Sequence, residues 1–242
     1  LGCSHNKCTF CGAYKDKQFK IKPESIINSD IDFAAQYCTR QTKVFLADGD
    51  ALIIPQARLV TIFENIRQKL LQVNRISLYG NGKSIRKKSV VELQELKRLG
   101  LHRIYTGLES GHDQILGRIK KGETGQSMIE AANTIHKAQL FLSVTVLLGI
   151  GGTDFTDEHA LETAKVLNRM QPNQIGALTL MVLDNTPLGQ DLKRGKFIIP
   201  SKEQLLRELR NLIANLNLKR CQFHSNHASN YLPIEGRLPK DT

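Results

Sequence analysis

Three cysteines lie close together near the start of this 242-residue chain: Cys3, Cys8 and Cys11 form a C-x4-C-x2-C array. Thiolates are soft ligands that bind zinc or iron-sulfur clusters, and three sulfurs on one loop can cap three corners of a cubane. A structural zinc site needs four closed ligands, and His5 inside the loop could complete one only with awkward geometry. The spacing therefore favours an iron-sulfur cluster with one open iron. Three buried, inert cysteines are the alternative.

The composition limits the setting and the partners. An odd total of five cysteines, three of them clustered, fits a metal site in a reducing cytoplasm better than a disulfide framework. Lys and Arg number 34 against 23 acidic residues, and the net charge of +11 favours an anionic partner such as RNA or a carboxylate-rich metabolite. No basic run is interleaved with aromatic residues, so nucleic acid is not the favoured partner. No apolar stretch reaches the ~20 residues of a membrane span, which predicts a soluble protein, and the cysteine usage predicts a cytoplasmic one.

The apolar residues alternate between two periodicities along the chain. Short runs rich in Val, Ile, Leu and aromatic residues predict five strands, at residues 43–47, 75–79, 103–108, 140–148 and 174–183. Helical spacing fills the intervals, with capping boxes at Ser89 and Ser201. A strand recurs about every thirty residues, which predicts one α/β domain with a parallel sheet, either a barrel or an open sheet. Cys38 and Cys221, outside the array, are expected in the core.

Polar and glycine residues follow each predicted strand. Because parallel strands end at one edge of a sheet, we expect these clusters to converge on one pocket. The alternative is that they are ordinary turns. The clusters are Asp48-Gly49-Asp50, Asn81-Gly82-Lys83, Glu109-Ser110-Gly111, residues 149–152 and Asp184-Asn185.

Several of these motifs together resemble a known family. The cysteine array, with Phe10 directly before its last cysteine, resembles the signature of the radical S-adenosylmethionine (SAM) superfamily. The Asp48-Gly49-Asp50 cluster is similar to the glycine-rich motif of that family, and residues 146–152 resemble its fifth-strand motif. Residues 105–111, followed by residues 120–124, look like the fourth-strand stretch of the branch that contains oxygen-independent coproporphyrinogen oxidase, Elongator and the tRNA methylthiotransferases.

The resemblance implies a fold: an α/β, incomplete (β/α)6 TIM-like barrel of the radical SAM type. The first strand of such a barrel precedes the cysteines, and only Leu1 and Gly2 do so here, so we expect that strand to be truncated. The barrel is predicted over residues 1–223, with a tail at 224–242 that closes the barrel mouth. One feature departs from the family pattern, because four residues and not the usual three separate Cys3 from Cys8.

The resemblance also implies site residues. The three cysteines would hold a [4Fe-4S] cluster, and Lys121 would meet the SAM carboxylate. The other residues implied to contact SAM are Phe10, Asp48, Gly49, Asp50, Glu109, Ser110, Leu148, Gly149, Met181 and Val182. For the substrate, the predicted contacts lie after the second strand and in the polar tail. They are Asn81, Lys83, His227, Asn230 and Tyr231.

The implied chemistry is reductive cleavage of SAM to methionine and a 5'-deoxyadenosyl radical, with an electron from a donor such as flavodoxin or ferredoxin. Three hypotheses follow for the chain as a whole. The first is a radical SAM enzyme acting on a small anionic or peptide-derived metabolite. The second is the same chemistry on tRNA, and the third is a zinc-binding module without catalysis.

Overall fold

The computed structural model describes residues 2–241, which form an α/β fold around a single sheet. Within those residues the sheet has seven strands, and their order in space follows their order in the chain. The first six strands run parallel and the seventh pairs antiparallel with the sixth. The strands are β1 (Lys43–Leu46), β2 (Arg75–Tyr79), β3 (Leu101–Glu109), β4 (Phe141–Leu148), β5 (Gln174–Thr179), β6 (Cys221–His224) and β7 (Glu235–Leu238).

Helices cover one face of this sheet. Parallel strands in sequential order, joined by right-handed crossovers, place all their helices on the same side. Helices α2, α4, α6, α7 and α9 accordingly pack one against the next. The helices are α1 (Glu24–Tyr37), α2 (Gln56–Lys69), α3 (Gly82–Lys87), α4 (Val90–Arg98), α5 (Asp113–Arg118), α6 (Gly125–Lys137), α7 (Thr156–Met170), α8 (Pro187–Lys193) and α9 (Lys202–Ala214). None within residues 2–241 is both long and apolar enough to cross a membrane.

The two faces of the sheet differ in character because side chains alternate along each strand. The outer face, which meets the helices, is apolar and buried; it includes Ile76, Leu78, Ile104, Val144 and Ile175. The inner face carries no helix. Its side chains are largely half-buried, and many are aromatic or polar.

The predicted strands agree with the observed ones except at the C-terminal end of the chain. β5 ends at Thr179, four residues earlier than predicted. β6 and β7 were not predicted, because neither shows an extended apolar run. The predicted boundary after residue 223 falls inside β6, and β7 lies within the predicted tail.

The two cysteines outside the array have different surroundings. Cys221 is buried in the core, as predicted. Cys38 is half-exposed and lies outside the core, so that prediction was wrong. The physical reason is its position directly after the last residue of α1, a helix at the side of the fold where β1 ends the sheet.

β1 is one edge of the sheet, and residues 2–42 contribute no strand beside it. A cavity of about 400 Å³ lies between β1, α1 and α2. Its walls are mostly apolar, and they include Ile27, Ile31, Val44, Leu46 and Ile62.

Candidate active site at the carboxyl ends of the strands

Asp50 fastens the loop that carries the three cysteines (residues 3–11) to the ends of β1 and β2. Its carboxylate is 2 % exposed. It accepts hydrogen bonds from Ser4 Oγ (2.5 Å), Asn81 Nδ2 (2.7 Å) and Ser84 Oγ (2.7 Å), and from the Asn81 N–H (3.2 Å). Burial raises the pKa of Asp50, and these hydrogen bonds lower it in part. A buried carboxyl group needs such partners, so Asp50 fixes the position of the cysteine loop.

The opposite side of the cysteine loop contacts the turn after α5 and the start of α8. The Thr9 N–H donates to the C=O of Ile119, the residue directly after α5 (2.9 Å). The Thr9 C=O accepts from the Leu188 N–H (3.0 Å). His5 Nε2 lies 2.7 Å from the Lys120 C=O. Gly122 has φ +72°, and a Cβ there would lie 2.7 Å from the His5 ring. The turn therefore needs glycine at this position, and the loop is held on both sides.

Gly49 lets the backbone after β1 approach the first cysteine. Its N–H donates to the Gly2 C=O (3.1 Å). A Cβ at Gly49 would lie 2.7 Å from Cys3 Cβ and 3.1 Å from Cys3 Sγ, which is too close for any side chain. The preceding residue, Asp48, has φ +70°, a conformation that is uncommon outside glycine and is found often at functional sites.

The three thiols of the array are free and half-exposed. Burial raises the pKa of Cys8 to about 11, against the opposing effect of the Lys121 ammonium; Cys3 and Cys11 are close enough to affect it as well. Within residues 2–241 no three His, Cys, Asp or Glu side chains are grouped to hold a single metal ion. A cubane takes its cysteines at separate corners, whereas the ligands of a zinc ion converge on one point. Three free thiols on one anchored loop beside a lysine fit an iron-sulfur cluster.

A buried ion pair lies beside Cys8. Lys121 Nζ is 2.8 Å from Glu109 Oε1, and both side chains are about nine-tenths buried. Burial by itself would lower the pKa of Lys121, but the Glu109 carboxylate raises it. Glu109 has φ +64° at a register shift between β3 and β4. The absence of a side chain at Gly107 makes room for the pair, since a Cβ there would lie 1.9 Å from Glu109 Oε1.

An apolar patch adjoins the cysteine loop. Partly buried Phe10, Leu147, Leu180 and Val182 pack on a small buried cluster that is separate from the main core. The cluster is formed by Ile115, Leu116, Ile119, Ile150 and Leu188. The patch therefore brings the residue before the last cysteine together with the ends of β4 and β5. A surface of this kind can pack against a flat, weakly polar ring.

Four of the five predicted strand-end clusters lie around the cysteine loop. Three have been described above, and the fourth is represented by Asn185, whose Oδ1 would lie 2.8 Å from a Cβ at Gly12. The fifth cluster is divided, because Ile150 belongs to the buried cluster on which Phe10 packs, whereas Gly149 lies against α9. Gly149 has φ +81°, and a Cβ there would lie 2.8 Å from Leu205 of α9.

Two of the predicted SAM contacts belong to a buried hydrogen-bond network. The Ser110 hydroxyl lies 2.8 Å from His159 Nδ1 of α7, and the Gly149 N–H donates to Glu208 Oε1 of α9 (2.7 Å). His159 Nε2 and Glu208 Oε1 are 3.5 Å apart. Burial lowers the pKa of His159 to about 4 and raises that of Glu208 to about 8, so both are neutral between these values. Leu148 is likewise buried in the core.

Sequence reasoning missed Ser4, His159 and Glu208. Glu208 did have a signal, because it falls on the apolar face of α9 with Leu205, Leu209 and Leu212. A charged residue at such a position indicates a buried partner. Ser4 and His159 had no such signal, because their partners are distant in the chain.

The predicted substrate contacts lie in varied surroundings. Asn81 is engaged by Asp50 and by α3. Asn230 holds the end of β5: its Oδ1 accepts from the Thr179 N–H (2.6 Å) and its Nδ2 donates to the Ala177 C=O (2.8 Å). The exposed residues are Lys83, His227, Tyr231 and, among the predicted SAM contacts, Met181. Their roles stay predictions.

The chain belongs to the radical SAM superfamily, because the model of that family matches residues 1–167. Members of this superfamily bind a [4Fe-4S] cluster and SAM. Among curated proteins, an uncharacterized protein of Methanocaldococcus jannaschii is 23% identical over 251 residues, which cover 100% of this chain and 73% of that protein.

Solved structures share the fold. Coproporphyrinogen III oxidase (HemN) from Escherichia coli, a radical SAM enzyme, has a TM-score of 0.65 at 15% identity, over 88% of this chain and 50% of that one. TsrM from Kitasatospora setae, a radical SAM methyltransferase solved with a SAM analog, has a TM-score of 0.68 at 14% identity, over 96% and 53%. The chain thus spans about half the length of these two proteins. The likeness confirms the predicted incomplete TIM-like barrel.

Proposed function

We propose that this chain is a radical SAM enzyme that acts on a small anionic or peptide-derived molecule. The observation that carries the proposal is the anchored cysteine loop, with three free thiols beside the Glu109–Lys121 pair. When bound, a [4Fe-4S] cluster and SAM would supply reductive cleavage of SAM to a 5'-deoxyadenosyl radical, with an electron from a flavodoxin- or ferredoxin-like donor. The protein must bind and orient SAM and exclude water.

Each part of the site has a proposed task. Cys3, Cys8 and Cys11 hold the cluster, and Asp50 keeps their loop in place through Ser4. Lys121 offers an ammonium group to a carboxylate, while Glu109 is the acceptor for an amino or hydroxyl group of SAM. The apolar patch around Phe10 and Val182 packs on the adenine and keeps water away from it.

The remaining assignments are proposals of the same kind. The substrate contacts are Asn81, Lys83, His227, Asn230 and Tyr231, and the tail from residue 224 closes the barrel mouth. The clustered free cysteines support a reducing compartment, the cytoplasm.

Anaerobic reconstitution with iron and sulfide, followed by dithionite and SAM, tests the proposed function. The protein should turn brown and form 5'-deoxyadenosine. Cys8→Ala should abolish both, because it removes one ligand of the cluster. The matched control is Cys38→Ala, a half-exposed cysteine outside the loop, which should behave like the wild type.

Two results would overturn the proposal. The first is an unmodified protein that takes up zinc and forms no 5'-deoxyadenosine, which would favour the zinc-binding module. The second is retention of the brown cluster in Cys8→Ala, which would overturn the proposed ligand set.

The net charge of +11 supports tRNA as the alternative substrate. Phosphate contacts weaken steeply as salt rises, so a tRNA complex should lose affinity between 50 and 200 mM salt by orders of magnitude. A gel shift with such a salt dependence would favour the tRNA-modifying enzyme over the one that acts on a small molecule.

A further inference from the structure

The inner face of the sheet carries an aromatic cluster formed by Phe45, Tyr79 and Tyr105. The ring centroids of Phe45 lie 5.0 Å from Tyr79 and 5.5 Å from Tyr105, and those of the two tyrosines are 5.8 Å apart. Phe45 and Tyr79 are each 42 % exposed although they lie within the curve of the sheet. Ring surface is therefore open to a ligand on the face without helices, where it can stack on a flat molecule.

Arg103 lies beside this cluster in a fixed position. Its guanidinium stacks on Phe141 (4.0 Å to the ring centroid) and Tyr105 (5.4 Å). Its Nη1 donates to the Tyr105 hydroxyl and to Gln174 Oε1, both at 2.9 Å. The other guanidinium nitrogens, Nε and Nη2, donate to no other residue within 2–241. A guanidinium held in this way offers the two-pronged donor set that carboxylates bind best.

Three cations lie near one another on the inner face, close to the amino ends of β1, β2 and β3. Lys43 and Arg75 are direct neighbours across β1 and β2. Together with Arg103 they are near enough to lower the pKa of His102, after the larger effect of its burial. No Asp or Glu side chain in the described part of the chain forms an ion pair with any of the three cations. An anionic ligand would supply the missing charge.

The order of these features along the strands gives the ligand a direction. In the aligned register Ser77 pairs with Arg103, and two residues further along Tyr79 pairs with Tyr105. β3 then continues to Glu109 beside the cysteine loop. At about 3.3 Å per residue, Tyr79 and Tyr105 lie between the cations and the cysteines, whereas Phe45 is level with Arg103. An anionic group held at Arg103 thus places an attached ring on Tyr79 and Tyr105, and the far end of the molecule points toward the cysteine loop.

We infer that the inner face is the substrate site and that the substrate is a planar aromatic or conjugated molecule bearing a carboxylate. The inference rests on the proposed function, because it assigns the molecule that the radical attacks. The carboxylate binds at Arg103, with Lys43 and Arg75 nearby, and the ring stacks on Tyr79.

Three small probes test the inference on the reconstituted protein with SAM bound. They are 3-phenylpropionate, its uncharged amide 3-phenylpropionamide, and 3-cyclohexylpropionate, which keeps the charge and loses the flat ring. We expect 3-phenylpropionate to bind most tightly in calorimetric titrations. Arg103→Gln should raise its dissociation constant about tenfold and leave that of the amide unchanged, because only the charged hydrogen bonds are lost. Tyr79→Ala should weaken both aromatic probes.

Matched variants keep the test independent of folding. Arg98→Gln changes an exposed arginine on α4, in the outer helix layer, and should bind every probe like the wild type. Arg75→Gln changes an exposed side chain on the inner face and should weaken 3-phenylpropionate by a few fold. The inference is overturned if the wild type binds the acid no better than the amide, or if Arg103→Gln and Arg75→Gln both bind like Arg98→Gln.

Failure of the inference differs from failure of the proposed function. The proposed function fails when the wild type forms no 5'-deoxyadenosine with dithionite and SAM. The inference fails when the wild type forms 5'-deoxyadenosine but binds the acid no better than the amide, or when Arg103→Gln and Arg75→Gln both bind the probes like Arg98→Gln.

Discussion

At the scale of single residues, Asp50 is a buried carboxylate whose hydrogen bonds position the cysteine loop. Its oxygens are used by hydrogen bonds from Ser4, Asn81 and Ser84. The resemblance to the family implies contact between Asp50 and SAM, whereas its hydrogen bonds support a positioning role for it. Ser4 lies between the first two cysteines of the array, so its hydrogen bond to Asp50 holds the cysteine loop directly.

Asp50→Asn should lower both stability and cluster content. Three donors converge on Oδ2 and the Asn81 N–H donates to Oδ1, so the NH2 group of an amide must oppose at least one donor, and the free energy of unfolding should fall by about 2 kcal/mol. Iron per chain after reconstitution and urea unfolding measure the two effects. Asp30→Asn, at an exposed ion pair with Lys22, is the control and should change stability by less than about 1 kcal/mol. Full iron content and unchanged unfolding in Asp50→Asn would contradict the role given to Asp50.

The neutral pair of His159 and Glu208 joins two strand ends to the outer helices. Ser110 follows β3 and Gly149 follows β4, and both are hydrogen-bonded to this pair. Because the pKa of Glu208 is raised, its stabilising contribution is complete below its unfolded pKa near 4.5 and is lost as pH rises through about 8. The pKa of His159 is lowered, so its contribution is complete above 6.5 and is lost toward about 4.

Glu208→Gln should therefore remove a pH dependence between pH 6.5 and 8, where Glu208 alone of the two changes charge. Relative to this variant, the wild type should lose about 1.4 kcal/mol of unfolding free energy per pH unit in that range. Urea unfolding at a series of pH values measures it. Glu203→Gln, at an exposed position on the same helix, should retain the wild-type slope. A slope that Glu208→Gln leaves unchanged would show that Glu208 is ionised when folded.

At the scale of elements, the C-terminal tail is tied to the sheet by backbone and side-chain bonds. β7 pairs with β6 from Cys221 to His224. Asn230 reaches from the connection between them to the end of β5, and it also donates to Ser225 Oγ (2.8 Å). The tail therefore extends the sheet by one antiparallel strand.

Asn230→Ala should loosen this end of the sheet. It leaves the Thr179 N–H without its partner, so the Thr179 amide should exchange with deuterium at least tenfold faster. The free energy of unfolding should fall by about 2 kcal/mol. Asn226→Ala, in the same connection but exposed, is the matched control. If Asn230→Ala keeps wild-type exchange at Thr179 and loses only substrate binding, Asn230 acts on the substrate and not on the sheet.

At the scale of the whole molecule, the sheet is curved and open. Helices seal its outer face, while its inner face combines the aromatic cluster with Arg103 and reaches the cysteine loop at the carboxyl ends of the strands. This division follows from the sequential strand order, which places every crossover helix on one side.

The sequence by itself determined the class of fold, and it predicted where the candidate site lies. Strand periodicity located the first four strands within two residues, because extended apolar runs are a local signal. The cysteine spacing indicated a metal site. The clusters after the strands indicated a pocket at the carboxyl ends of the strands, because parallel strands end on the same side of a sheet. β6 and β7 escaped prediction because, unlike the equally short β1, they contain no run of apolar residues and depend on their neighbours in the sheet for stability.

Only the tertiary structure decided what each polar residue touches. Asp50 and Glu109 look alike in sequence, each a carboxylate after a strand, yet Asp50 is enclosed by hydroxyl and amide donors and Glu109 by Lys121. The pairing of His159 with Glu208, and the assembly of Phe45, Tyr79 and Arg103 on one face, join residues far apart in the chain. Burial and charge act through space, so such contacts are defined only once the sheet has formed.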